Sequence, residues 1–584
     1  MRRARRSLHP PNITLGAPAM LSWYAVGLPT VATRLENEKS LETPPVMLLL
    51  LFRASLLQFV AALALVSSPL WADGPPNIVF AFADDLGRYA SAYADPQHPS
   101  PNDVIQTPHF DAVAREGTLF DCALISAPSC TPSRAAILAG RHFFRNGSHS
   151  QLHHPWMKGF EDPWDEVKGF PLILQDAGYH IGWSYKMHLS VDRMGGAKRN
   201  YRPAGSKFNR FSQTAMAADD HDAAKQKLLE EVRQNFSAML ADREDEQPFF
   251  YWFNPTNTHR AWVRGSGKEL WGIDPDSLQG RLPKFLPDNA VIREDFADYL
   301  GEAMAFDAAV GVLLDELRQR GELENTIVVV SGDHGAPGFP RGKCNLYDFG
   351  TQVPLAIRWP QQFAAGRRIA TPVSLIDLAK TFLAAAGAEP TADMNGQDLT
   401  PALLPDNADH ESALRGYALC GRETHVDEAR PGGLPYPMRA VRTDEFLYIV
   451  NFAPDRWPVA QPPLSAPLLG AKPGKDVRTS RRMDIDYGPT RDFFTEFETS
   501  DSIAAAWELG FGLRGAEELY AVKQDPDQMH NLIDDPQYAA QRDQLRALLM
   551  KELKDNQDPR LDNDAFDRPP YTPVRPQRGV PAVD

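Results

Sequence analysis

The chain has 584 residues, 43% hydrophobic and 23% charged, with 40 Gly and 50 Pro, which excludes a disordered, collagenous or coiled-coil protein. At roughly 100–200 residues per domain the length suits two to four domains, or one large catalytic domain with an appendage, and a core that needs no staple. A net charge of −15 argues against a nucleic-acid partner, and four scattered cysteines (Cys122, Cys130, Cys344, Cys420) exclude a disulfide framework or zinc knuckle.

Residues 47–72 follow the outline of a secretory signal peptide: Arg53, an apolar run from Ala54 to Val66, then Leu70-Trp71-Ala72 before Asp73. The run is short for a membrane span, so no stable span is expected after cleavage, the alternative being an uncleaved signal anchor. Residues 1–46 read as an upstream or disordered segment, with Met47 as the start. The first 72 residues carry a net +4, so the mature chain has about −19 and must hold any anionic substrate in a local pocket.

From Asn77 onward short apolar runs alternate with helical patterns, as in an α/β fold built on a large mixed, mostly parallel sheet flanked by helices. Strands are expected at Asn77–Ala83, His180–Ser184, Phe249–Phe253, Thr326–Val330 and Leu355–Arg358. Helices are expected over Arg293–Arg320 and Ser374–Ala386, closed by Gly321 and Gly387. These place a catalytic domain at residues 73–400. After Pro401 short strands at Ala440–Arg442 and Phe446–Val450 and a helix near Gln541–Lys554 predict a smaller C-terminal α+β domain, 401–559. The Pro-rich tail, 560–584, is expected to be extended or disordered.

In open α/β sheets ligands bind beyond the carboxyl ends of the strands. Here those ends carry Asp84-Asp85, Lys186-Met187-His188, Asn254 with His259, and Asp333-His334. Each pair alone has an ordinary reading as a helix cap or a surface charge, whereas their common edge points to a metal site with acid–base groups. Three carboxylates suit a hard divalent cation; the His334 nitrogen fits manganese or zinc better than calcium.

In Ser129-Cys130-Thr131-Pro132-Ser133-Arg134 the proline starts a helix that Gly140 closes, so Cys130 lies at a helix N-terminus that favours an anion. It is open to three readings: a buried structural thiol, a thiolate nucleophile, or a modified residue.

The C-x-P-x-R segment followed by a helix ending in Gly140-Arg141 resembles the signature of type I sulfatases, in which this cysteine is oxidised to formylglycine. Asn77-Ile78-Val79 with Asp84-Asp85, Thr107-Pro108 with Asp111, Lys186-Met187-His188-Leu189, Ser331–Gly335, Lys343 with Leu346-Tyr347-Asp348, and Glu518-Leu519-Tyr520 occur in the family's order over residues 77–555. Within the family the pattern is similar to the heparan N-sulfatase (sulfamidase) group, through Asn345-Leu346-Tyr347 and Tyr436-Pro437-Met438-Arg439. Two positions depart from the common family pattern: Gln352 stands for Arg, and His334 for Asn.

The resemblance implies an alkaline-phosphatase-like fold and a formylglycine at position 130, made by a maturation enzyme. It implies one divalent metal held by Asp84, Asp85, residue 130, Asp333 and His334, calcium before manganese or zinc. In that scheme one hydroxyl of the hydrated aldehyde attacks sulfur and the other later expels sulfate. Arg134 would hold the diol, Lys186 would neutralise sulfate, His188 would be the base, and His259 or Lys343 would protonate the leaving group. Glu423 and His425 are expected to reach over the pocket, with Arg439 pairing a uronate or else docking the two domains. The substrate would be a sulfated polysaccharide such as a glycosaminoglycan, met outside the cell or in the periplasm. A phosphonate or phosphodiester hydrolase, and a silent glycan-binding protein, remain as alternatives.

Overall fold

The computed structural model describes residues 74–152, 160–405, 409–426, 429–430, 433–459, 484–562 and 564–571. The expected signal peptide, the upstream segment and the end of the tail lie outside the described residues. Asn77–Ala83 (β1) is apolar after its first residue and buried throughout. Val79, Ala81 and Ala83 enter one core, whereas Ile78, Phe80 and Phe82 enter another on the opposite face. A strand buried on both faces is what a parallel sheet with helices on each side requires.

The remaining strands of the large domain are β2 (Thr118–Phe120), β3 (Ala123–Leu124), β4 (His180–Tyr185), β5 (Phe249–Asn254), β6 (Thr326–Gly332), β7 (Gln352–Val353), β8 (Leu355–Arg358), β9 (Arg367–Ile369) and β10 (Val373–Ser374). Six of them join β1 in one sheet, in the order β4-β5-β1-β6-β8-β2-β9. The run β4-β5-β1-β6 is parallel throughout, and β8 then enters antiparallel to both neighbours. A small sheet, β10-β3-β7, lies apart. Next come β11 (Tyr417–Arg422), β12 (Met438–Thr443), β13 (Phe446–Asn451) and β14 (Glu517–Ala521), which make an antiparallel sheet in that order. The fold is therefore the expected mixed α/β sheet with a small C-terminal α+β part.

Local chemistry moves some boundaries. The long helix runs Ala290–Gln319, earlier than its periodicity suggests, because Asn289 caps it by accepting the Val291 and Ile292 N–H groups. The segment read as one helix from Ser374 divides: Val373–Ser374 pairs with β3, and the helix is Asp377–Ala385. The Asp377 carboxylate accepts the Ser374 N–H at 2.9 Å and fixes that corner.

Glu423 and Arg439 are buried and face each other. The Arg439 guanidinium donates to Asp558 at 2.5 and 3.0 Å, to Glu423 at 2.9 Å, and to the carbonyls of Arg422 and Met438. Arg560 donates to the same Glu423 carboxylate at 3.1 and 2.5 Å. With these groups no more than 3% exposed, they satisfy one another, and the expected sugar-binding roles of Glu423 and Arg439 are replaced by a structural one. The tail is corrected with them: Arg560 and Phe566 are buried, so the chain stays packed through the described residues up to Tyr571. Arg439→Ala leaves Glu423 and Asp558 undercompensated and is expected to lower unfolding stability by about 3–5 kcal/mol in urea titration. A loss under about 1 kcal/mol would show that the cluster does not hold the fold together.

Candidate active site

Because β4, β5, β1 and β6 are adjacent and parallel, their carboxyl ends share one edge at about 4.8 Å spacing. There β1 runs into Asp84-Asp85, β6 into Asp333-His334, β4 into Lys186, and β5 into Asn254 and the turn bearing His259. The ends of β1 and β6 are drawn together: Asp333 N–H donates to Ala83 at 3.0 Å, and Asp85 N–H to Asp333 Oδ1 at 2.7 Å. Gly332 permits this approach, since a Cβ there would lie 2.2 Å from the Leu86 carbonyl oxygen. Asp85 and His188 sit at φ 64° and 54°, a costly conformation for non-glycine residues that surrounding contacts must enforce.

The helix Cys130–Ala139 is buried at every residue and ends where Gly140 adopts φ 61°. One turn in, Arg134 sends its guanidinium to the sheet edge: Nε donates to Asp333 at 2.8 Å, Nη1 to Asn254 at 2.8 Å and Nη2 to Asp84 at 3.4 Å. Cys130 Sγ lies 3.4 Å from both Lys186 Nζ and His334 Nε2, and 3.9 Å from Asp85 Oδ1. Lys186 also meets Asp84 at 2.6 Å, while Lys343 bridges Asp85 at 3.2 Å and Asp486 at 3.1 Å. Thr131 donates to the His188 carbonyl at 3.1 Å, pinning the Lys-Met-His turn to the start of the helix.

Burial and charge set the protonation states. Burial opposes ionisation of Asp84, but Lys186, His259, Arg134 and Lys343 hold its carboxyl well below the usual range. Burial pushes Asp333 up, helped by Asp84 and Asp85 and only partly offset by His334 and Arg134. Against its own burial, His334 is raised to about 10 by Asp333 and Asp85. Asp84, Cys130, Asp333 and His334 bring ligand atoms within 4.8 Å of one another, and so do Asp84, Asp85 and His259. A carboxylate cluster that pulls a proton onto an imidazole lacks positive charge; its oxygen-rich donor set fits a divalent cation.

Two other imidazoles differ. Desolvation, then Lys186, draws His188 below the ordinary value, which favours the neutral imidazole that can accept a proton. Burial is the largest influence on His259 and lowers it, but Asp85 with Asp84 turns the balance upward against burial and the two lysines. The His259 Nδ1 is 2.5 Å from the Arg260 carbonyl, which only accepts, so Nδ1 carries the hydrogen. His425 is buried and bonded to Ser129 Oγ at 2.9 Å, next in sequence to Cys130 and within the influence of Lys343 and Asp486.

The sequence reading placed Asn254 at its strand end without a role, and it missed Thr258, Tyr299 and Asp486. Asn254 holds Arg134, and Thr258 Oγ1 donates to the carbonyls of Asp84 and Asp85 at 3.2 and 2.9 Å. Tyr299 accepts Gly87 N–H and donates to the Asp85 carbonyl at 3.1 Å. The role of Asn254 at a strand end and that of Thr258 beside His259 were findable from position; Tyr299, mid-helix, and Asp486 gave no signal.

A sequence profile described as Sulfatase matches residues 76–388. The chain belongs to the sulfatase family. This sulfatase is 28% identical over 519 residues to human N-sulphoglucosamine sulphohydrolase, across 83% of this chain and 91% of that protein. An ulvan-active sulfatase of Formosa agariphila is 25% identical over 514 residues, 81% of this chain and 73% of the relative. A solved structure holding its substrate D-glucosamine-2-N,6-O-disulfate shares the fold, with TM-score 0.51, 20% identity, and coverage of 85% of this chain and 100% of that one. The family makes this chain a sulfuric ester hydrolase, and no helix among its described residues is long and apolar enough to cross a membrane.

Elemental analysis of the purified sulfatase is expected to find one divalent cation per chain, identified by the same measurement. Asp84→Ala and Asp333→Asn should each lose it, and undiminished metal in both variants would refute the ligand set.

Proposed function

We propose that this sulfatase removes sulfate, as an ester or sulfamate, from a sulfated glycan such as a glycosaminoglycan, using formylglycine at position 130. Residues 73–400 carry the chemistry and 401–559 brace it. The observation that carries the reading is Cys130 at a helix start, within 3.4 Å of Lys186 and His334 and beside three buried carboxylates. The glycan is supported by relatives that act on N-sulphoglucosamine and on ulvan. An exported protein, secreted or periplasmic after loss of residues 47–72, would meet such substrates together with a maturation enzyme that oxidises Cys130.

Once oxidised, residue 130 supplies a hydrated aldehyde with one hydroxyl for attack on sulfur and one for releasing sulfate. A divalent cation, calcium before manganese or zinc, held by Asp84, Asp85, Asp333 and His334 with residue 130, would stabilise negative charge there. Lys186 and Lys343 face the same point and neutralise the sulfate oxygens as charge spreads in the transition state. Arg134 donates to Asp333, Asp84 and Asn254, so it fixes the carboxylates that surround the nucleophile. Neutral His188 takes the proton from the second hydroxyl, and protonated His259 donates one to the departing oxygen or nitrogen.

Peptide mass spectrometry of active enzyme should show position 130 as an aldehyde or its hydrate; an unmodified thiol in fully active protein would sink the mechanism. His188→Ala is expected to lower kcat by about 10²–10⁴-fold. Activity should rise as pH climbs through the lowered His188 value and fall above the raised His259 value. His259→Ala should remove that alkaline limb and cost less on aryl sulfates, whose phenolate departs without a proton. Among disaccharides bearing a single N-, 2-O-, 3-O- or 6-O-sulfate, sulfate release from one names the linkage. Faster hydrolysis of phenylphosphonate with no sulfate release would favour the phosphonate reading, and inertness on every substrate the glycan-binding one.

A further inference from the structure

Asp486 and Tyr487 lie in a segment held at alternate residues. The Asp484 carboxylate sits between Arg422 and Arg430, 2% exposed. Asp486 pairs with Lys343 at 3.1 Å. Gly488 packs under Arg260, where a Cβ would meet Nη1 at 2.2 Å. Thr490 donates from N and Oγ1 to Asp295 at 3.1 and 2.6 Å, and Arg260 grips the same Asp295 through two 2.8 Å bonds. The segment is thus tied to the loop of Lys343 and to the turn of His259, the groups proposed above to meet the sulfate oxygens and the departing atom.

Between these anchors the Tyr487 side chain is 58% exposed, with the Arg491 guanidinium 4.1 Å from its ring centroid. The ring is thus largely open to solvent although the backbone beneath it is tied on both sides. A tyrosine face is electron-rich and attracts the polarised C–H bonds on one face of a sugar. The Asp486 carboxylate, 24% exposed beside Lys343, accepts hydrogen bonds and repels anions.

We infer that Asp486 and Tyr487 form the binding surface for the departing sugar. Tyr487 stacks on the ring, and Asp486 selects hydroxyl or amine donors, rather than a second anion, next to the sulfated position. This rests on the glycan-sulfatase reading above.

The test compares kcat/KM on the monosulfated glucosamine that wild type turns over fastest, on a disulfated glucosamine, and on 4-nitrophenyl sulfate. Tyr487→Ala should lower the sugar-to-aryl ratio about tenfold, mainly through KM, with Tyr487→Phe restoring it. Asp486→Asn should raise the disulfated-to-monosulfated ratio by about the same factor. Ratios cancel any general damage to folding or to Lys343, and thermal midpoints of the variants check the fold. If wild type cleaves the sugars and both ratios stay put, the inference falls while the glycan reading stands. If wild type releases sulfate from no sugar yet hydrolyses phenylphosphonate, the glycan reading falls and takes the inference with it.

Discussion

Three carboxylates with no exposed surface, Asp84, Asp85 and Asp333, stand at one edge of the sheet, and the rest of the site answers to them. Burying an ion costs several kcal/mol after relaxation, so such a cluster persists only with positive charge delivered against it. Arg134 comes from a helix, Lys186 from the end of β4, Lys343 from the loop before β7, and His334 from the end of β6. Only an edge where four parallel strands finish side by side lets segments so distant in sequence converge on one point. The strand order and the position of the Cys130 helix are therefore parts of a single electrostatic solution.

Much of that solution was legible in the chain because the strand-end contributions each follow an apolar run. NIVFAFA ends in Asp84-Asp85 and TIVVV reaches Asp333-His334; a run buried on both faces followed by charge marks a strand end wherever it occurs. β2, β3, β7, β9 and β10, of two or three residues each, are too short to show any alternation, and only their pairing partners define them. Glu423 and Arg439 misled for a different reason. A sequence shows that a guanidinium and a carboxylate exist, but whether they face a ligand or each other depends on Asp558 and Arg560, far along the chain. Asp486 was hidden likewise: its meaning comes from Lys343, not from its neighbours in sequence.

The small C-terminal sheet acquires its purpose from the same electrostatics. Preorganised charges help a transition state only if they need not move as the reaction proceeds. The loop of Lys343 is strained, with Arg341 at φ 63° and Cys344 at φ 70°, and left alone would relax. Instead the Cys344 N–H donates to the Pro128 carbonyl at 2.8 Å, two residues before Cys130, so the Lys343 loop and the nucleophile segment are joined directly.

From the other side, Arg422 at the end of β11 donates to the Cys344 carbonyl, and Gly421 N–H to Ser126 at 2.9 Å. Farther along, Arg442 of β12 clasps Asp348 at 3.0 and 2.9 Å, and Tyr347 donates to Glu518 of β14 at 2.8 Å. Three strands of the small sheet thus grip the two segments whose separation sets the distance between Cys130 and Lys343. The Arg439–Glu423–Asp558–Arg560 cluster then fixes that same end of β11 and β12 to the chain beyond the sheet. Burying such a cluster is costly, yet here it helps hold the charges at the sheet edge at a fixed spacing.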